Sequence, residues 1–316
     1  MYTFETNRVV RDTGATYPVC NAPIGRFARS GLAGAVAAAG GIGLLETVTT
    51  DLAGTAAEFE RIRAQTDGPI GIQLLIRVLT QQGRLEEVLE WALSRSPLVI
   101  SAVGDPGRIV ARIHEAGAKL YHQTGSVEDA ERAVESGADG LIVEGAESGG
   151  LRSERSLHLF SLLQQVRARV DVLIIAAGGI ADGHGMAGAF ALGAEGIMMG
   201  TRFISAVEAP AHVNFKQAIT DAQATISLEP VKKGIKMRFV RNDFSEAVAR
   251  GDIDPQGNVY AGPVLELFDH GRLDKAMVGA GESAVLISEV RSVADIMDET
   301  IDGFWQEMQR LAGLLR

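Results

Sequence analysis

Short apolar runs alternate with longer amphipathic stretches over the first two hundred residues, and this rhythm limits the fold more than any other feature. The apolar runs are Tyr17–Ala22, Gly41–Leu45, Ile70–Leu75, Leu98–Ala102, Lys119–Gln123, Gly140–Glu144, Val172–Ala177 and Gly196–Met199. Between them, amphipathic spacing predicts helices over Ser30–Ala39, Leu52–Gln65, Gln82–Ser94, Pro106–Ala116, Ser126–Ser136, Ser156–Ala168 and Gly185–Leu192. Near-continuous apolar strands separated by helices belong to a parallel sheet buried on both faces. Eight such strands predict an α/β fold closed as a (β/α)8 TIM barrel.

Punctuation supports the reading. Glu115-Ala-Gly-Ala-Lys119, Glu135-Ser-Gly-Ala-Asp139 and Ala191-Leu-Gly-Ala-Glu195 each place glycine just past a helix, where a left-handed residue is needed. The rhythm breaks after Arg202. Residues 203–278 show no clean strand–helix unit and read as an inserted lid segment over the barrel mouth. Alternation resumes at Ala284–Ile287, and Val293–Leu315 reads as a long amphipathic closing helix, with Ile296, Ile301, Trp305, Met308 and Leu311 on its apolar side. The expected division is therefore a barrel of residues 1–202 and 279–316, carrying a lid of 203–278.

Composition narrows the partners. A formal net charge of −10 without a basic stripe argues against nucleic acid and anionic membranes. The single cysteine, Cys20, excludes an intrachain disulfide and a four-cysteine metal site, and no metal is expected. No run of about 18 apolar residues offers a membrane span, and the N-terminus lacks an apolar signal core, so a cytoplasmic location follows by default. A small-molecule substrate is expected. The apolar closing helix leaves a homodimer open.

Glycine is the compositional outlier, with 37 residues where average usage would give roughly 22. Several stand at strand ends, where barrels of this type bind ligands. The seventh strand ends Ala176-Ala-Gly-Gly-Ile180 and the eighth ends Met198-Met-Gly-Thr-Arg202. Glycine there lets backbone N–H groups face phosphate oxygens, with Thr201 adding a hydroxyl and Arg202 a charge. The sixth strand leads into Glu144-Gly-Ala-Glu-Ser-Gly-Gly-Leu-Arg152, a loop small enough to lie against a flat ring. Asn21, Gln73 and Gln123 end three other strands, as polar groups for a bound heterocycle. Gly183-His-Gly-Met-Ala-Gly188 matches G-x-G-x-x-G, but no acidic residue closes the following strand, so a dinucleotide fingerprint is rejected.

Taken in order, these motifs resemble the flavin-dependent nitronate monooxygenases, formerly 2-nitropropane dioxygenases, whose relatives include NADH:quinone reductases and flavin-dependent enoyl-ACP reductases. The resemblance rests on Asn21-Ala-Pro23, Leu32-Ala-x-Ala-Val-x-Ala-Ala-Gly40-Gly-Ile-Gly43, Pro69-Ile-Gly-Ile-Gln73, Gly145-Ala-Glu-Ser-Gly-Gly150, Ala177-Gly-Gly-Ile-Ala-Asp-Gly183 and Ala191-Leu-Gly-Ala-x-Gly196-x-Met-Met-Gly-Thr-Arg-Phe203. It covers residues 17–203 well and returns at Gly279-Ala-Gly281 and the final helix. It implies FMN as cofactor. By position, Asn21, Ala22, Pro23 and Ile24 would contact the flavin ring. Gln73 and Gln123 would sit near its polar edge, where relatives carry Asn or Thr and Lys or Ser. Gly149 and Gly150 would lie in the sixth-strand loop, and Gly178, Gly179, Met199, Gly200 and Thr201 would bind at the phosphate end.

One departure bears on activity. The family's catalytic histidine follows the paired glycines of the sixth-strand loop, and this chain has Leu151 there. Leucine can neither transfer a proton nor donate a hydrogen bond. The catalytic group is thus unknown from sequence, with His122 and Glu147 as candidates, Arg152 flanking the gap and His184 following the phosphate turn. Lys232, Lys233, Arg238 and Arg241 offer a positive lid patch for an anionic substrate or coenzyme A. An anionic nitronate needs no deprotonation, so oxidation of alkyl nitronates with O2 is the expected chemistry. The alternatives are NAD(P)H-dependent reduction of a quinone, enone or acyl-CoA-type substrate, and a flavin-binding protein without catalysis.

Overall fold

The computed structural model describes residues 3–153, 156–229, 235–254 and 263–315. Its strands are β1 (Val19–Asn21), β2 (Gly43–Leu45), β3 (Ile70–Leu75), β4 (Leu98–Ala102), β5 (Lys119–Thr124), β6 (Gly140–Glu144), β7 (Arg152–Ser153), β8 (Leu173–Ala177), β9 (Gly196–Met199), β10 (Thr225–Leu228) and β11 (Ile235–Val240). Eight of them form one parallel sheet in the order β1-β9-β8-β6-β5-β4-β3-β2. A parallel bridge between Cys20 and Ile42 joins its two edges and closes the barrel. The expected TIM barrel is present, with β8 and β9 as its seventh and eighth strands.

Alternation along each strand sorts side chains into two layers. Cys20, Leu44, Ile100, Tyr121, Ile142, Ile175 and Met198 point inward and fill the barrel. Leu141, Val143, Ile174, Ala176, Ile197 and Met199 point outward against the helices. Burial pushes the Cys20 thiol pKa up, as befits a small apolar packing residue. The N-terminal helix Arg8–Thr13 plugs the lower end, where Val9 joins the interior and Asp12 accepts from the Tyr121 hydroxyl at 3.1 Å.

Gly117, Gly137 and Gly193 end helices at φ of +71°, +100° and +99°, the left-handed conformation their positions anticipated. Gly83, at φ +69°, breaks the stretch read as Gln82–Ser94. A separate helix Ile76–Gln81 precedes it, and the helix proper starts at Leu85. The closing helix spans Val293–Gly313 and buries Ile296, Ile301 and Phe304. No helix among the described residues is long and apolar enough to cross a membrane.

Residues 203–278 depart from the sequence reading, because they contain regular elements. Helices Val213–Thr220, Asp243–Arg250 and Pro263–His270 accompany β10 and β11. β11 pairs antiparallel with β10 on one side and with β7 on the other. Ala284–Ile287 is no strand either: Glu282–Leu286 is a 3-10 helix. Its preceding Gly281 N–H is held by Thr201 Oγ1 rather than by a sheet neighbour.

Candidate active site

The strand ends β1, β3, β4, β5, β6, β8 and β9 open into one cavity of about 1300 Å³. Its floor consists of inward-pointing strand-end residues: Ala22, Gln73, Ala102, Gln123, Glu144, Ala177 and Met198. The small side chains leave a broad apolar base and the polar ones cluster on one side. Gln123 Nε2 donates to Glu144 Oε2 at 2.8 Å. The Gln73 side chain has no hydrogen-bond partner among the described residues and stands free to meet a ligand. Phe215, Phe239, Val264, Phe268 and Met277, all from the segment after β9, line the opposite wall.

The glycine turn after β8 borders this cavity. Gly178 and Gly179 take φ of +98° and +75°, where a Cβ is strongly disfavoured. Gly200 and Thr201 line the same cavity. Thr201 Oγ1 accepts from Gly281 N–H at 2.9 Å, which leaves its own proton to donate. Ser148 also lines the cavity, and its hydroxyl is buried without a partner. Such a group needs a ligand or water to complete it. Two hydroxyls and two consecutive left-handed glycines thus stand at this end of the cavity, the kind of turn that can offer backbone N–H groups to an anion.

Several sequence-predicted residues lie elsewhere. Asn21 is fully buried but does not reach the cavity. Its Oδ1 accepts from Leu44 N–H at 2.8 Å, and its Nδ2 donates to the Leu44 carbonyl at 2.9 Å. It thus stitches β1 to β2 at the closing seam. Met199 faces the helix layer, and its neighbour Met198 lines the cavity instead. Arg202 turns away from the phosphate turn, donating to the Glu289 carbonyl at 2.9 Å, and burial lowers its pKa.

The proton-transfer candidates also miss. His122 points outward, bonded through Nδ1 to Ser101 Oγ at 2.8 Å, and burial lowers its pKa to about 4. Glu147 is committed to the start of helix Leu159–Arg167, accepting from Leu159 N–H at 2.9 Å. Arg152 is 7% exposed and clamps the loop after β6, donating to the Ala146 and Ser148 carbonyls. Arg238 joins it on the Ala146 carbonyl at 3.0 Å and pairs with Glu282 at 2.9 Å. Arg241 pairs with Glu246 at 3.0 Å, while Lys232 and Lys233 lie outside the described residues. His184 sits in the first turn of helix Gly183–Ala191, within the rejected glycine motif.

Ala22, Pro23, Ile24, Gln73, Gln123, Gly149, Gly150, Gly178, Gly179, Gly200 and Thr201 are brought together around the cavity, with Leu151 at 40% exposure among them. Two features went unread in the sequence. Glu144 is one, and the alternation that puts Ile142 inward also puts Glu144 inward. The other is a side arm lined by Arg26, Arg29, Thr49, Thr50 and Arg61. Its arginines are neutralised locally: Arg29 pairs with the fully buried Glu46 at 2.7 Å, Arg26 with Asp269 at 3.0 Å, and Arg61 with Glu58 at 2.5 Å.

A closed parallel barrel whose strand ends and glycine turn open into one ligand-sized cavity is the architecture of TIM-barrel enzymes. The chain belongs to the nitronate monooxygenase family of flavin-dependent oxidoreductases, whose model matches residues 8–302. Two curated relatives illustrate the range. A nitronate monooxygenase of Neurospora crassa is 31% identical over 229 residues, covering 60% of this chain and 61% of that protein. A (3aS,4S,5R,7aS)-5-hydroxy-7a-methyl-1-oxo-octahydro-1H-indene-4-carboxyl-CoA dehydrogenase of Mycobacterium tuberculosis is 34% identical over 193 residues, covering 60% of this chain and 53% of that protein. The chain thus spans between half and two thirds of the length of these relatives. Among solved structures, FabK from Thermotoga maritima superposes with a TM-score of 0.88 at 28% identity, covering 98% of this chain and 99% of that one.

Proposed function

We propose that the protein is an FMN-dependent oxidoreductase of the nitronate monooxygenase kind. The observation that carries this reading is the cavity that joins the left-handed glycine turn after β8 to a floor of small strand-end residues. The residues present fit the cofactor. Gly178, Gly179, Gly200 and Thr201 would hold its phosphate, with the unpartnered Ser148 hydroxyl as a further donor. Ala22, Ala177, Gly149 and Gly150 leave room for the ring, and Gln73 and Gln123 would meet its polar edge. When bound, FMN supplies the two-electron chemistry.

The protein's own part is to bind and orient. Leu151 presents an apolar surface where relatives of the family place an imidazole, so an alkyl nitronate, already anionic, enters without needing that group. The phenylalanines give the cavity an apolar wall. NAD(P)H-dependent reduction of an acyl-CoA-type substrate is the second reading, favoured by the coenzyme A-linked name of the Mycobacterium tuberculosis relative. Anaerobic stopped-flow mixing of the FMN-loaded protein separates the two. Bleaching by propionate-3-nitronate but not by NAD(P)H supports the oxidase, and the reverse supports the reductase. Bleaching by neither favours a flavin binder without catalysis.

A further inference from the structure

The cavity holds one carboxylate on its floor, and it lies beneath the loop that lacks the histidine. Glu144 ends β6 in the inward phase, and its Oε2 is fixed by Gln123 at 2.8 Å. Its other oxygen, Oε1, has no hydrogen-bond partner among the described residues. This oxygen lies 3.2 Å from the position a Cβ on Gly150 would take, one residue before Leu151. A carboxylate anchored through one oxygen, with the other free to face the cavity, has the arrangement of a general base.

We propose that Glu144 is the proton-transfer group of this site, taking a proton from the carbon that gives up electrons, so that neutral carbon acids such as nitroalkanes are substrates as well as nitronates. This rests on the flavin reading above. In the step, the C–H bond breaks with its electron pair left on carbon, and an O–H bond forms at Glu144 Oε1. The carboxyl then returns the proton to water at the cavity mouth. The product of this step is the nitronate, and FMN, when bound, would supply the chemistry for its oxidation.

The charged groups around Glu144 are few. β5 contributes the neutral Gln123, with His122 on the opposite face, and β8 contributes Ala177. From the loop, Glu147 is turned onto Leu159 N–H, while Arg152 on β7 is within electrostatic reach of Glu144. Beyond Arg152 lie Arg238 on β11 and its partner Glu282.

The test uses the FMN-loaded protein as wild type, Glu144→Gln and Glu144→Asp, with nitroethane as probe. The flavin is first photoreduced without oxygen, so that only proton transfer remains, and loss of nitroethane α-protons in D2O is followed by proton NMR. Wild type should exchange these protons well above the buffer rate. Glu144→Gln should lose roughly 10²–10⁴-fold of this exchange, and Glu144→Asp should lose less. In Glu144→Gln, bleaching of the oxidised enzyme by ethyl nitronate should fall far less than exchange of the nitroethane protons. Exchange no faster than buffer in wild type overturns the proposal, as does exchange retained in Glu144→Gln. Equal loss with nitroethane and nitronate at unchanged FMN affinity also overturns it, because it assigns Glu144 a packing role. Wild type that takes up no FMN instead refutes the flavin reading beneath it.

Discussion

Replacing Asn21 with alanine separates barrel closure from cofactor contact. Where the edges of the sheet meet, β1 and β2 share one bridge, and the Asn21 carboxamide supplies the rest of the seam. The side chain makes bonds of 2.8 and 2.9 Å to both polar groups of Leu44 and a third, of 3.2 Å, to the Ala22 carbonyl. Truncation leaves the Leu44 N–H and C=O unpaired in a fully buried seam, at about 1–3 kcal/mol each. The combined loss of about 2–6 kcal/mol is a large share of the roughly 5–15 kcal/mol that holds a domain together. At about 2–4 °C per kcal/mol, the thermal midpoint should fall by several degrees or more. Urea and thermal unfolding followed by circular dichroism measure this, and FMN titration of the folded protein should show no change in affinity. An unmoved midpoint with weakened FMN binding would refute the reasoning and return Asn21 to the ring.

Three further outcomes follow from the geometry. Gly179→Ala must adopt φ +75° with a Cβ facing Glu147, so it should lose about 1–2 kcal/mol of stability and bind FMN more weakly, checked by urea unfolding and fluorescence titration. Leu151→His placed on top of Glu144→Gln should restore bleaching by nitroethane, since an imidazole then stands on the loop above the floor; stopped-flow rates no better than Glu144→Gln alone would put the reacting carbon away from that loop. His122 is held neutral by burial, with its pKa near 4 against an ordinary 6.5. The unfolded chain therefore binds the extra proton between those values, and stability should be full above pH 6.5 and decline as pH falls towards 4. The decline is about 3 kcal/mol at most, and His122→Gln should flatten it in urea unfolding at several pH values.

The barrel was legible because its signal is local. Apolar runs and the glycines that end helices name the strands to within a few residues, and Gly178 and Gly179 mark the left-handed turn after β8 by their type alone. Side-chain direction was harder to read. Asn21, His122 and Met199 are plausible strand-end ligands by chemistry, yet each has the outward phase of its strand. Glu144 was overlooked although Ile142, two residues earlier, fixes its inward phase. The β7–β11 pairing escaped notice because it joins residues more than eighty positions apart through two short strands with no strong pattern of their own. Arg152 and Glu147 sit in the right loop, and only the packing shows that they brace it and do not face the cavity.

The wall behind the phosphate turn has a consequence for the order of events in the cell. Gly149 packs against Ala280 and Gly281, Glu282 N–H donates to the Glu147 carbonyl at 2.8 Å, and Gly281 N–H reaches Thr201. Eight strands have left the ribosome long before those residues are made. The barrel can therefore begin to assemble while the chain is still tethered, but the ligand cradle is completed only when the segment around residue 281 arrives.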